Sequence, residues 1–118
     1  MPAKKAKPLL PTLRERKRYL AFEVLSDKPV AGADVQQAII AEAHALIGDL
    51  GMAEAGVWFI DEKWDAAKQR GMLRVTDTHC DKLKAVLTLI DSIRNQEVLV
   101  RSLAASGMIG KAERRIAG

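Results

Sequence analysis

"RYLAFEVLSDKPVAGADVQQAIIAEAHALIG", residues 18–48, changes its hydrophobic period part-way along. Leu20, Phe22 and Val24 alternate with Tyr19, Ala21 and Glu23, as in a half-buried strand whose side chains point to opposite faces in turn. Pro29 and Gly32 in "SDKPVAG" end the strand. Asp34 with Gln37 then offers a capping box. Val35, Ala38, Ile39, Ala43, Leu46, Ile47 and Leu50 recur at helical spacing, with an end expected near Gly48 to Gly51. The apolar face of the strand and the stripe of the helix can cover one another.

The same hand-over is repeated further on. "MAEAGVWFID" reads as a second strand centred on Val57 to Ile60. A polar connection, "EKWDAAKQRG", leads to a third strand, "MLRVT", in which Leu73 and Val75 share one face and Arg74 takes the other. Thr78 with Asp81 marks a second helix start. Its stripe is Leu83, Val86, Leu87, Ile90 and Ile93, and Asn95 ends it. "EVLVRSLA" supplies a fourth strand, and "SGMIGKAERRIAG" a glycine-punctuated turn with a short basic helix, Ile109 to Ile116.

The order β-α-β-β-α-β plus a helix predicts an α+β, ferredoxin-like domain. Its four-stranded antiparallel sheet would carry both helices on one face and hold the first and third strands at the centre. The second strand is apolar on both faces, so the sheet face opposite the two helices needs a cover. Either the C-terminal helix supplies it through Ile109 and Ile116, or another protein does, with Trp58 and Ile60 as the expected interface. Residues 1–11 hold three of the four prolines and read as a flexible basic arm; residues 12–118 read as one domain, opened by a helical turn capped by Thr12 and Glu15.

The net charge of +4 is unevenly spread. Residues 1–18 carry seven basic groups and one acid, residues 101–118 four and one, and the body between them has an excess of five acids. Two basic ends on an acidic body are a footprint for a polyanion such as nucleic acid. A single cysteine excludes an internal disulfide. With no apolar run after the first lysines and no stretch long enough for a bilayer, a cytoplasmic protein without membrane contact is expected.

No catalytic constellation is visible. "DTHCD", residues 77–81, has no activating partner for Cys80 and too few neighbours for a metal, and its acids suit a helix N-terminus. His44 lies among alanines on a helix. "SGMIGK" lacks the spacing of a phosphate loop, although a helix N-terminus near Lys111 could still meet a phosphate. The third strand has no aromatic residue, so bases are not expected to stack on the sheet as they do on RNA-recognition modules.

Three stretches together, "LPTLRERKRYLAFEV", "GMLRV" and "VLVRSLAASGMIGKA", resemble the archaeal ribonuclease P protein component two family over about residues 10 to 116. That family is the counterpart of a subunit of eukaryotic nuclear ribonuclease P. The chain departs from the family's closing motif, Ser-Gly-Thr-Ile and paired basic residues, at Met108 and Gly110, which leaves Lys111 single. The resemblance implies a fold similar to RNA-recognition domains and a subunit that assists a catalytic RNA in removing the 5′ leader from precursor tRNA. The Mg²⁺-dependent chemistry would be the RNA's, with no cofactor on this chain. The implied partners are ribonuclease P RNA and protein component three in a hetero-oligomer, with precursor tRNA and self-association as further candidates. Arg14, Arg16, Lys17 and Arg18 would grip phosphates. Arg74, Arg101, Ser106, Lys111, Arg114 and Arg115 complete the expected RNA-contacting set. The competing reading is a ferredoxin-like regulatory module with a small ligand at a subunit interface, which leaves both basic ends without a task.

Overall fold

Alternation in the first strand decides which residues meet the helices. The computed structural model describes residues 16–118, so the arm at 1–11, the Thr12–Glu15 cap and Arg14 lie outside the described residues. The elements are β1 (Lys17–Ser26), α1 (Gly32–Ala55), β2 (Trp58–Phe59), β3 (Arg70–Thr76), α2 (Cys80–Leu89), β4 (Ser92–Ile93), β5 (Gln96–Ser106) and α3 (Ile109–Ala117). The five strands form one antiparallel sheet in the order β2-β3-β1-β5-β4. Leu20, Phe22 and Val24 of β1, with Leu73, Val75, Val98 and Val100, face Val35, Ile39 and Ala43 of α1 and Leu83, Val86 and Leu87 of α2. Each fully buried side chain of this size contributes roughly 1.5–3 kcal/mol.

The sheet has five strands where four were expected. Arg94 and Asn95 both take positive φ (54° and 63°) and close a two-residue hairpin between β4 and β5. Ile93 therefore belongs to β4 and not to the second helix, which stops at Leu89; it is buried in the same core, which is why it fits the helical stripe. Asp34 does not cap α1. The helix starts three residues earlier with Ala31 at its N-cap, and the Asp34 carboxylate lies 3.5 Å from Nε of Arg94 in the hairpin turn. Nor does α1 end at Gly48–Gly51. Gly48 kinks it (φ 73°, ψ −178°), a conformation open to glycine, and the helix continues to a left-handed Gly56 whose N–H reaches the Met52 carbonyl. Leu46 and Leu50, assigned to the buried stripe, are 50% and 73% exposed on either side of that kink. The strand expected from "MAEAG" onward is correspondingly short.

Trp64, in the polar connection after β2, packs with Phe22 and Phe59 at centroid distances of 6.3 Å each. Its indole fills a slot that only glycines leave open. A Cβ on Gly71 would stand 2.8 Å from Trp64 Cε3 and 2.9 Å from Phe22 Cζ, and one on Gly32 2.8 Å from Trp64 Cδ1.

On the opposite face α3 supplies the cover. Ala112 and Ile116 are buried against Ala21 and Met72, with Tyr19, Ile60 and Leu103 at the margin, whereas Ile109 stays exposed. A β-bulge makes this possible. β5 pairs Ser102 with Phe22 but Ala104 with Ala21, so Leu103 is the extra residue and the facing of the strand switches there. Before it Val98 and Val100 face α1 and α2; after it Ala104 and Ser106 lie on the α3 side.

Candidate nucleic-acid interface

β1 and β5 are antiparallel neighbours, so the start of one lies beside the end of the other. Tyr19 is paired with Ser106. Arg16, Lys17, Arg18 and Tyr19 consequently line one groove with Gly107 and Met108. The basic opening run and the closing turn, the two most distinctive stretches of the sequence, meet there. The Ser106 hydroxyl accepts the N–H of Met108 (3.0 Å) and so shapes the turn into α3. Lys111, Arg114 and Arg115 project from the exposed side of α3, opposite Ala112 and Ile116.

The expected RNA-contacting cations fall into two groups. Arg18 donates from Nε to Asp77 (2.6 Å), and that hydrogen bond, with the attraction of the carboxylate, raises the pKa of a guanidinium already charged at any working pH. Arg101 donates from Nε and Nη2 to Glu23 (3.0 and 2.7 Å). Arg16, Lys17, Arg74, Lys111, Arg114 and Arg115 have no ion-pair partner among the described residues. These six are available to an external anion without breaking an internal pair.

Glu23 is 8% exposed, and Arg70 and Arg101 hold it from both neighbouring strands. Burial alone would push its carboxyl up, but the hydrogen bonds and charges of Arg101 and Arg70 outweigh this and hold it below the usual carboxylate range. Arg70 also donates to the carbonyls of Arg115 and Ile116 (3.5 and 3.2 Å), Lys68 to that of Ala117, and Lys63 pairs with Glu113. Cations at the C-terminal carbonyls of a helix satisfy its unpaired acceptors and oppose its dipole. Arg70, Lys63 and Lys68 fasten α3 in place, a role absent from the sequence reading; the one signal for it was the acid Glu23 between the apolar Phe22 and Val24.

The pair Trp58 and Ile60 is divided by the structure. Ile60 packs at the margin of the α3 cluster, while Trp58 is 60% exposed on the edge strand. Trp58 is paired with Arg74, whose guanidinium carbon lies over its ring, 6.0 Å from the centroid. Arg74 is paired in turn with Tyr19, so Trp58, Arg74, Tyr19 and Ser106 form one row across four strands on the face that α3 covers elsewhere.

"DTHCD" forms a turn of 3₁₀ helix and the start of α2. His79 Nδ1 lies 3.2 Å from the Thr76 hydroxyl and 3.1 Å from that of Thr78, and burial pushes the Cys80 thiol up, away from the reactive thiolate. Among the described residues no three or more His, Cys, Asp or Glu side chains are grouped so as to hold a metal ion. His44 sits on the exposed side of α1, paired with Asp49. No helix among the described residues is long and apolar enough to cross a membrane.

Comparison with known proteins follows the same outline. Residues 18–117 match the family model described as the Rpp14/Pop5 family. The chain belongs to the Rpp14/Pop5 family. Ribonuclease P protein component 2 of Thermococcus kodakarensis is 36% identical over 111 residues, 94% of this chain and 91% of that one. The proteins of the same name from Thermococcus gammatolerans (37%; 94% and 91%) and Pyrococcus furiosus (33%; 96% and 92%) are similar along almost their whole length. A chain in the cryo-EM structure of yeast ribonuclease MRP shares the fold, with a TM-score of 0.61 at 13% identity over 81% of this chain and 77% of that one. In this Rpp14/Pop5 member Met108 is the exposed N-cap of α3 and Gly110 stands in its first turn, with nothing within 4 Å of a Cβ built on Gly110.

Proposed function

We propose that this chain is a protein subunit of ribonuclease P that binds the catalytic RNA and supports its removal of the 5′ leader from precursor tRNA. The observation that carries the reading is the meeting of the basic opening run with the closing turn in one groove, beside a helix whose exposed side is basic. Family membership points the same way. Phosphates are the natural occupants of such a surface, since contacts of this kind are electrostatic and independent of sequence. The chemistry, including its divalent ion, is assigned to the RNA, and this chain's work is to position and neutralise. A protein partner, with component three as the candidate, completes the assembly.

Two measurements test this. Cleavage of precursor tRNA by the reconstituted RNA and proteins should depend on this chain. RNA binding should weaken with salt at a log–log slope of about −3 to −5, the signature of roughly five phosphate contacts. Replacing Arg14, Arg16, Lys17 and Arg18 by Ala should reduce the magnitude of that slope by about 3 and weaken unrelated RNA sequences alike. A slope near zero overturns the reading.

A further inference from the structure

We infer that Trp58, with Arg74 beside it, is a stacking site for one unpaired nucleobase, a site that adjoins the phosphate groove through Tyr19 and rests on the RNA-binding reading above. The open sheet was not expected to stack bases because its third strand carries no aromatic residue. The structure puts an arginine there instead and brings an edge-strand tryptophan next to it. Trp58 is 60% exposed, yet it is not a loose side chain: its backbone is paired with Arg74 in β3 and its ring lies along the Arg74 guanidinium, 6.0 Å away. An indole held in place in this way loses little freedom when a planar ligand settles on it.

The charge beside the ring selects the partner. Arg74 has no ion-pair partner among the described residues, so its charge is uncompensated within the protein. A cation in this state next to an exposed aromatic ring suits a ligand that combines a π-face with an anion, which is what a nucleotide is. An apolar protein surface would bury the guanidinium against nothing that accepts its protons. The row continues through Tyr19 and Ser106 to the groove of Arg16, Lys17 and Arg18, so a strand gripped by its phosphates in the groove leads naturally to the stacking site. α3 covers the neighbouring row, Met72 and Ala21, and reaches this one only at Tyr19, leaving Trp58 exposed. The recognised feature is therefore an unpaired base next to a backbone phosphate, with no preference for which base, because every base has a π-face.

The test uses the full chain and two probes: a single-stranded adenylate octamer and a fully paired RNA duplex of matched charge. The octamer should quench the tryptophan fluorescence, and Trp58→Ala should weaken it by about 5- to 150-fold, the range for loss of one base–aromatic stack. Trp58→Phe should restore most of the affinity, and duplex binding should change less than twofold in either variant. Equal losses for both probes, or none for the octamer, overturn the stacking site while leaving the RNA-binding reading intact. A change in self-association of Trp58→Ala, seen by sedimentation, with unaltered octamer binding would assign the surface to a protein contact and equally overturn it. Binding of neither RNA overturns both readings together.

Discussion

Replacing Glu23 by Gln keeps the shape of the side chain and removes the one charge that two arginines share. Three hydrogen bonds from guanidinium to carboxylate end on it: Arg70 Nε to Oε2 at 3.0 Å, and Arg101 Nε and Nη2 to Oε1 at 3.0 and 2.7 Å. Such bonds are worth about 1.5–3 kcal/mol each when desolvated. The Arg101 side chain is 56% exposed, so water replaces much of its share, while Arg70 (20%) and Glu23 (10%) are largely enclosed. The loss should therefore be about 2–4 kcal/mol at neutral pH, partly because two cations are left facing each other. The effect has a pH signature. Because the folded protein holds the Glu23 carboxyl below its ordinary value of 4.5, its contribution is full above that value and is lost as pH falls through it toward the folded value. Urea unfolding of wild type and Glu23→Gln at pH 7 and at progressively lower pH is the assay. The difference between the two proteins should shrink on acidification, since the wild type then loses the same charge. A difference below about 0.5 kcal/mol at pH 7, or one that persists unchanged in acid, would refute the argument that the arginines' pairing with the charged carboxylate stabilises the fold.

Gly71→Ala should destabilise by about 1–3 kcal/mol in the same assay, because its new methyl would stand 2.8 Å from Trp64 and 2.9 Å from the fully buried Phe22, and both rings would have to shift. A neutral result would mean that the indole slot is looser than its geometry. Cys80→Ser should leave precursor-tRNA cleavage in the reconstituted complex nearly intact, since burial raises the thiol pKa and no base activates it. A hundredfold loss of rate with the fold preserved, about 2.7 kcal/mol of barrier, would expose a catalytic role.

Strand alternation and helix stripes were legible wherever burial is on one side. β1, the body of α1, β3, α2 and β5 stand where the periodicity puts them, and so does α3, whose Ile116 closes the face that the two long helices leave open. What could not be read depends on contacts distant in sequence. Ile93 continues a helical stripe and also suits a strand buried in the same core; the hairpin turn at Arg94–Asn95 decides, and neither residue is the glycine that usually announces such a turn. Trp64 stood in a polar stretch, and its slot is made by Gly32 and Gly71 from other elements. Asp34 has the position of a cap but serves Arg94 instead. For the interface, composition revealed both basic ends, and the antiparallel pairing of β1 with β5 brings them together. It could not reveal that Asp77 and Glu23 occupy Arg18 and Arg101, or that Arg74 and Trp58 are cross-strand neighbours.

The extra residue in β5 carries a consequence for how this chain tolerates change in length. A strand counts in twos, and Leu103 inserts one odd step that the ladder absorbs as a bulge. Deleting Leu103 would leave Ala104 opposite Ala21 and Ser106 opposite Tyr19 in an unbroken ladder, so Ser106 and the launch of α3 would keep their side of the sheet. The loss would be the Leu103 side chain at the margin of the cluster under α3 and the extra bend that a bulge gives its strand. A second deletion between Ala104 and Ser106 would find no bulge to absorb it: Ser106 would turn toward the layer of α1 and α2, and Ala21 and Met72 would be stripped of their lid. The bulge is therefore a reserve of one residue, and β5 can shorten by a single step there before the aim of everything beyond it changes.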